Sequence, residues 1–593
     1  MEQNDQRNLM LAIGLAFILY IAYDFFLLTP QRRIAEEAQA RARAEQVQVN
    51  PSPARPVERS RDQIVVEEST AAQRVALEAP AIDGSISLKG ARIDDVSLKG
   101  FYDTIEDKLA NRKDGEIQLL SPEGTERAFY AVINWIGAAG LPDENSVWTQ
   151  TSAGPLTDAN PLLLTWSGPA ARIERKIEID ADYMFTVTDA VTNTSAAPVT
   201  LQQVAAIRQR LLAEHLKPAP QAHAGAIGMY GEGKKNQTIN YKNLEKGKGV
   251  VQEATQGWIA LTTKYWMAAV IPPQGQPVTM RASVDKGNGR TTFQAGYAGS
   301  SNSVAPGQTI GASTRIFAGA KRVAVLDNYQ KAGAIPSFTD SVDWSWLWFI
   351  TKPFFWMLQT FQNWFGSFGL AILATTVVVK LAFFPVQMKV YESMSKLRKL
   401  QPEMEDIRKR FEADKARQQQ EIMKMYQREK ANPLAGCLPL IPQAFVFYAL
   451  YHTLMVSLEM RHTPFYGWIE DMSAPDPTTV FNLFGLLPFD PSGFPLIGSF
   501  LMIGVWPLLY GLTMWALQGM SAPPTDPTQK MVMQFLPLIF LFLFAGFAAG
   551  LVIYWVWSNF ITILQQYYIM RRNGVETEFD KFLKKTFGKK AEA

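Results

Sequence analysis

The pattern of apolar and polar positions changes character three times along the chain. Leu9 to Leu28 is an apolar run of 20 residues, from Gln31 to about Pro56 large apolar residues nearly vanish, from Val57 to Ser341 short alternating runs lie between turn residues, and beyond Val342 long apolar stretches take over. The first run follows Arg7 and precedes Thr29, Pro30, Gln31, Arg32 and Arg33. No small-residue cleavage site follows it at once, since the one such pattern, Ala40-Arg41-Ala42, lies in a charged stretch. Residues 1–29 are therefore expected to be an uncleaved signal anchor. Residues 30–56, rich in Ala, Arg, Glu, Gln and Pro, read as a linker.

Period-two alternation marks residues 57–341 as a β domain. Ile177 and Ile179 alternate with charges, and Phe185, Val187 and Val191 keep the same period around Asp189. Asp83-Gly84, Asp114-Gly115 and Asn288-Gly289 read as hairpin turns, and Ala295 to Gly311 as a Gly/Ser-rich loop. A large β-sandwich is the expectation, with Trp135, Trp148, Trp166, Trp258 and Trp266 assigned to its core rather than to a sugar-stacking surface. Residues 342–366 carry aromatics at both ends and Pro353 between them, the signature of an amphipathic helix lying in the membrane interface.

Residues 367–389 form an apolar run long enough to cross a bilayer, with Lys380 inside it. A lysine at mid-span costs roughly 2.5–3.5 kcal/mol on insertion scales, so it is expected to face water, a partner or a pathway within the protein. Snorkelling to the headgroups is the alternative. Thr376 lies one turn back on the same face and Gln387 seven residues on, which gives the helix a thin polar stripe. Residues 390–432 read as a charged helical hairpin, with Met394, Leu397, Leu400, Met404, Ile407 and Phe411 at helical spacing, followed by Ile422, Met425 and Tyr426. Four further spans are expected within residues 433–570: about Leu434 to Leu458, Leu496 to Leu517, Met531 to Ala549, and Gly550 to Met570.

Charge sets the expected topology. The hairpin and the tail, residues 571–593, are both basic, and four spans separate them, so both belong in the cytoplasm. Arg32 and Arg33 outweigh Arg7 and point the other way, but the later loops are more strongly biased. The expected architecture is a polytopic α-helical membrane protein of six spans, amino and carboxy termini cytoplasmic, with a large extracytoplasmic β-sandwich domain. The net charge of +3 and the absence of any recognition motif argue against direct, sequence-specific binding of nucleic acid. The single cysteine, Cys437, lies in an apolar segment, so the β domain folds without disulfides.

No enzyme motif stands out: His215, His223, His452 and His462 lack zinc-ligand spacing, and neither a phosphate-binding loop nor a nucleophile elbow is present. The spans carry polar stripes instead. Tyr554, Ser558, Thr562 and Gln565 recur at helical spacing in the last one, with Asn559 and Gln566 beside them, while Gln443 and Gln534 punctuate the third and fifth. These residues could serve interhelical hydrogen bonding alone. With Lys380 among them, a wet groove within the bilayer is the reading adopted.

The run N-P-L-A-G-C-L-P-L-I-P-Q from Asn432 to Gln443, the basic hairpin before it, and G-L-V-I-Y-W-V-W-S-N-F-I-T-I-L-Q-Q from Gly550 to Gln566 resemble the YidC family of bacterial membrane protein insertases. The resemblance implies a five-helix insertase core over about Gly366 to Arg572 and, for the chain as a whole, the Gram-negative form with a periplasmic domain. It implies an inner-membrane insertase and chaperone, without cofactor or metal, that acts on nascent membrane proteins alone or with the Sec translocon. Ribosomes and targeting factors would dock on the hairpin and tail. It also implies a hydrophilic groove open to cytoplasm and lipid, with Lys380, Thr376, Gln443, Gln534, Tyr554, Trp555, Ser558, Asn559 and Thr562 as the candidate groove residues. Substrate helices would leave beside the third and fifth spans. Lys380 stands where family members carry arginine, and Trp555 where many carry tyrosine. The segment Phe481 to Pro495 is longer than the family pattern, and the sequence gives it no role. Two other classes remain at this point: a channel or transporter lined by the same stripes, and a membrane-embedded hydrolase using Lys380 as base.

Overall fold

The computed structural model describes residues 59–210, 222–230, 236–287, 291–429, 440–487, 489, 491, 498–520, 527–575 and 580. The expected signal anchor, the linker, most of the basic tail, the Asn288-Gly289 turn and the Asn432–Pro439 part of the motif lie outside these residues.

Two antiparallel sheets form the β domain. Among the described residues one has ten strands, centred on Phe129–Ile136, Val199–Arg210 and Thr292–Ala298, and the other has nine, centred on Trp266–Ile271, Thr309–Ala320 and Met184–Asn193. Alternation does what period two requires: Ile173, Ile177, Phe185, Val187 and Val191 all turn inward and are fully buried. Asp189 keeps the same period and is buried with them, held by Arg175 through Nε at 2.8 Å and Nη2 at 2.9 Å and by the Trp135 indole N–H at 2.8 Å. Trp135, Trp148 and Trp258 belong to the core as expected, while Trp166 and Trp266 are partly buried against it.

Two of the turn readings are corrected. Asp83-Gly84 is not a hairpin turn but the interior of the strand Ile82–Ser87, where Gly84 has φ 145° and a Cβ would fall 2.1 Å from the Asp95 carbonyl oxygen. Glycine is there because a neighbouring strand approaches closely, which a sequence reads the same way as a turn. Ala295 to Gly311 is likewise not one loop: it holds the end of Thr292–Ala298, the short strand Asn302–Val304 and the start of Thr309–Ala320. Gly296 is small because the paired strand of the same sheet approaches closely; a Cβ there would lie 2.3 Å from the Ala205 carbonyl.

The second half is helical. We label α1 (Trp348–Phe365), α2 (Phe368–Lys399), α3 (Gln401–Arg410), α4 (Lys415–Arg428), α5 (Leu440–Val456), α6 (Val505–Met520), α7 (Pro527–Ala545) and α8 (Ala549–Arg572). α1 is two-faced: Phe354, Phe355 and Leu358 are buried, while Trp348, Phe349, Trp356 and Trp364 are exposed. It ends at Gly366 in the left-handed conformation, φ 65°, and packs on α2 and α5. α2 runs 32 residues without a break, ten residues past Lys389. Among the described residues, Phe368–Leu397 is the one stretch by itself long and apolar enough to cross a bilayer; the apolar parts of α5 and α7, Ala444–Val456 and Met533–Ala545, are shorter. α3 and α4 fold back on each other, with Met404 and Met425 buried between them.

The two halves share one hydrophobic core at their junction, because Trp344, Phe355, Val456 and Leu458 join the sandwich cluster. Polar contacts fix the same junction: Lys108 Nζ donates to the His462 carbonyl at 2.6 Å, and Arg461 Nη2 donates to the Tyr102 carbonyl at 2.7 Å. The segment after α5 is thereby held on the β-domain side of the helices.

Candidate functional site

α2 and α8 pack along their length, and α5 closes one side. Where the three meet, a cavity of about 30 Å³ is lined by Thr376, Val379, Lys380, Phe383, Val386, Gln387 and Val390 of α2, Val446 and Leu450 of α5, and Tyr554 of α8. The i, i+4 and i+11 spacing of Thr376, Lys380 and Gln387 puts all three on one face of α2. Among the described residues Lys380 is the only charged group in this lining, and it is 6 % exposed.

Lys380 Nζ donates to Thr562 Oγ1 at 2.9 Å, and the Thr562 hydroxyl donates on to the Ser558 carbonyl at 2.8 Å. The side-chain amide of Gln565 reaches the Lys380 carbonyl at 3.3 Å. Thr376 is buried and its hydroxyl donates back to the Ile372 carbonyl at 2.7 Å, so its lone pairs remain for the cavity. Four buried polar atoms on α2 and α8, Thr375 Oγ1, Gln387 Oε1, Trp555 Nε1 and Gln565 Oε1, lack a protein partner among the described residues, and of these Gln387 lines the cavity. Buried polar groups are almost always hydrogen-bonded, so the Gln387 oxygen is what water in the cavity would satisfy. The cavity has room for a water or two.

The structure divides the polar stripe of α8. Tyr554, Thr562 and Gln565 face α2, with Ser558 joined to them through its carbonyl, whereas Asn559 Nδ2 donates to Thr513 Oγ1 at 3.1 Å and Gln566 Nε2 to the Met520 carbonyl at 3.2 Å, both toward α6. Trp555 lies elsewhere again. Its ring stacks on Phe447 at 5.2 Å and meets Phe544 at 3.9 Å and Tyr510 at 6.0 Å, an aromatic cluster that ties α8 to α5, α6 and α7. Gln534 is exposed on α7, away from the cavity, and the side chain of Gln443 lies outside the described residues. The structure thus brings together Lys380, Thr376, Tyr554, Ser558 and Thr562 and does not bring Trp555, Asn559 or Gln534 to them.

Sequence reasoning missed Val446 and Leu450, the α5 residues that close the cavity; nothing in an apolar helix marks one face for such a role. It also missed the Lys108 and Arg461 contacts, which join residues about 350 positions apart in the chain. Exposed apolar side chains, Phe445 on α5 and Phe535, Leu538 and Ile539 on α7, leave greasy surfaces on the helices beside the site.

Residues 74–357 match the family model for the YidC periplasmic domain, and residues 360–576 match that for the 60Kd inner membrane protein. The chain is 42 % identical to the membrane protein insertase YidC of Maricaulis maris (strain MCS10) over 98 % of both chains. It is also 42 % identical to that of Caulobacter vibrioides (strain NA1000 / CB15N) over the whole of both. A crystal structure of an active YidC insertase with its first transmembrane domain resolved covers 84 % of this chain and is covered over 92 %, at 14 % identity and a TM-score of 0.36. The full-length identity to named insertases settles the family: the chain belongs to the YidC membrane protein insertases.

Proposed function

We propose that this chain inserts and folds integral membrane proteins by lowering the barrier to moving a short polar segment across hydrocarbon. The observation that carries the reading is a buried lysine on a cavity whose other polar residues, Thr376, Gln387 and Tyr554, are neutral. Each unpaired backbone group in hydrocarbon costs several kcal/mol, so polar groups that replace water shorten the dry distance. Lys380 attracts acidic residues of the arriving segment; Thr376, Tyr554, Ser558 and Thr562 supply hydroxyls in place of water. The apolar substrate helix then partitions into lipid along the exposed faces of α5 and α7. No bond in the substrate is broken.

We read six spans: the signal anchor, α2, α5, α6, α7 and α8, with both termini in the cytoplasm of a bacterial inner membrane. The contacts of Lys108 and Arg461 with the opposite half support a β domain and an α5–α6 connection on the same, periplasmic side. The α3–α4 hairpin lies at the far end of α2, where its charged surface and the basic tail suit ribosomes and targeting factors, with the Sec translocon as a partner within the membrane. The groove assignment covers Lys380, Thr376, Tyr554, Ser558 and Thr562; Gln443 joins it by its place on α5.

A substitution series on Lys380 tests the mechanism. Purified protein in liposomes is given two single-span substrates, one with an acidic and one with a neutral translocated segment, and insertion is read by protease protection. Lys380→Arg should retain function; Lys380→Glu should lose about tenfold or more, equivalent to about 1.4 kcal/mol, on the acidic substrate; Lys380→Ala should fall between. Equal insertion by all three would mean that Lys380 only snorkels. Arginine as inactive as alanine would indicate a proton acceptor, since a guanidinium stays protonated.

A further inference from the structure

The connection between α5 and α6 has a polar base and an apolar tip. At the base, Asp476 accepts from the Trp506 backbone N–H at 2.9 Å and from the Trp468 indole at 3.0 Å. Thr479 Oγ1 donates to the Leu501 carbonyl at 2.6 Å, and the Val480 N–H to the Ile503 carbonyl at 3.0 Å. These bonds clamp the chain where it leaves and re-enters the helical core. The tip beyond them reads F-N-L-F-G-L-L from Phe481 to Leu487 and has no charged residue, in a connection whose base carries Glu459, Arg461, Glu470, Asp471 and Asp476.

The tip exposes what a soluble loop hides. Phe481, Leu483, Phe484, Leu486 and Leu487 are 41 % to 82 % exposed, Leu486 the most. Its backbone is held in a costly form, since Leu483 (φ 52°) and Phe484 (φ 59°) are consecutive left-handed residues with large side chains. Local bonds keep it so: Phe484 N–H to the Thr479 carbonyl at 2.7 Å and Gly485 N–H to Asn482 Oδ1 at 2.9 Å. A rigid, uncharged, apolar projection in water loses on both counts, through strain and through exposed hydrocarbon.

We propose that Phe481–Leu487 is a membrane wedge, seated at the headgroup and acyl boundary of the leaflet on the β-domain side. The occupant is lipid because the tip rises from the chain joining two helices read as spans, because Leu512 and Trp515 of α6, the helix that this connection leads into, are exposed, and because Trp468 and Tyr466 of the same connection are exposed aromatics of the kind that prefer the interface. It gives the first, described part of the long Phe481–Pro495 segment a role, displacing lipid beside the core on the side toward which a substrate segment is moved. The inference rests on the reading of α5 and α6 as spans.

The test places a nitroxide on the full-length protein in phosphatidylcholine/phosphatidylglycerol vesicles. A Cys437→Ser background carries Leu486→Cys, Leu512→Cys or Ser300→Cys, and power saturation compares collisions with oxygen and with a water-soluble nickel chelate. At Leu486 oxygen should exceed the chelate, with a depth between the buried Leu512 label and the aqueous Ser300 label. A label at Leu483→Cys should agree, guarding against a local effect of one substitution. A chelate-accessible Leu486 with Leu512 in lipid would overturn the wedge alone; both positions aqueous would overturn the span reading. Low accessibility to both reagents at Leu486 would also overturn it, since a protein surface and not lipid would then cover the tip.

Discussion

Each half of the molecule buries a cation, and the two are treated differently. In the β domain Arg175 is fully buried against Asp189 through two hydrogen bonds of 2.8 and 2.9 Å, gives a third to the Ile133 carbonyl at 2.8 Å, and lies over the Trp148 ring at 4.7 Å. Its charge is neutralised on the spot by a bidentate pair. In the helical half Lys380 donates to a threonine hydroxyl and looks into a cavity lined by neutral polar and apolar side chains. A pair closed on itself can only hold a fold together. Lys380 instead faces a lining whose other described side chains are neutral, the setting in which the proposed attraction for an arriving acidic segment would act.

That comparison can be broken first at the closed pair. Asp189→Ala leaves the Arg175 guanidinium and the Trp135 indole without their acceptor and should cost the β domain about 3–5 kcal/mol. The expected result is loss of hydrogen-exchange protection in β-domain peptides while insertion of the acidic substrate continues in the surviving membrane-embedded fraction. Abolished insertion with the helical core still protected would show that the two halves are functionally one.

A second buried cation of the β domain sharpens the point through pH. Burial pushes the Lys321 ammonium down to about 7, against the opposing pull of Asp343. A lysine with a depressed folded value binds fewer protons when folded than when unfolded, so its contribution to stability is present above the unfolded value and is lost as pH falls through about 7. Between these limits stability should rise by up to about 1.4 kcal/mol per pH unit. Urea unfolding of the β domain, followed by near-UV circular dichroism, should show that slope in the parent and a flat response in Lys321→Met. Equal slopes would show that another group governs the dependence.

The smallest effect is expected at the partner of Lys380. Thr562→Val removes the hydroxyl that accepts from Nζ and should reduce insertion of the acidic substrate a few-fold, with the neutral substrate unchanged, since hydrogen bonds within membrane bundles average only about 0.6 kcal/mol. Thr562→Ser should restore it. Equal losses on both substrates would mark Thr562 as a packing residue.

Much of this organisation was legible because it is local. Period-two alternation marks Ile177 and Ile179, and Phe185, Val187 and Val191, as strand positions whatever lies beside them, and a lysine within an apolar run is visible without any coordinates. The misread positions are those where the same residue serves two physical purposes. Gly84 reads as a turn because glycine suits turns, but it stands where the Asp95 carbonyl leaves no space for a Cβ. Asp189 reads as an interruption of an apolar face, and only the position of Arg175 on the neighbouring strand makes it part of that face.

The sequence alone determined which stretches suit lipid, which face of α2 carries Lys380 with Thr376 and Gln387, and how the polar residues of α8 are spaced around its axis. Those follow from hydropathy and from 3.6 residues per turn, which belong to one helix at a time. Only the tertiary structure decided that Thr562 and Gln565 meet Lys380 while Asn559 and Gln566 meet α6, and that Trp555 is locked among Phe447, Phe544 and Tyr510. Helical spacing fixes the angle between two side chains, but the neighbour each one faces is set by how the helices pack, a property of all of them together.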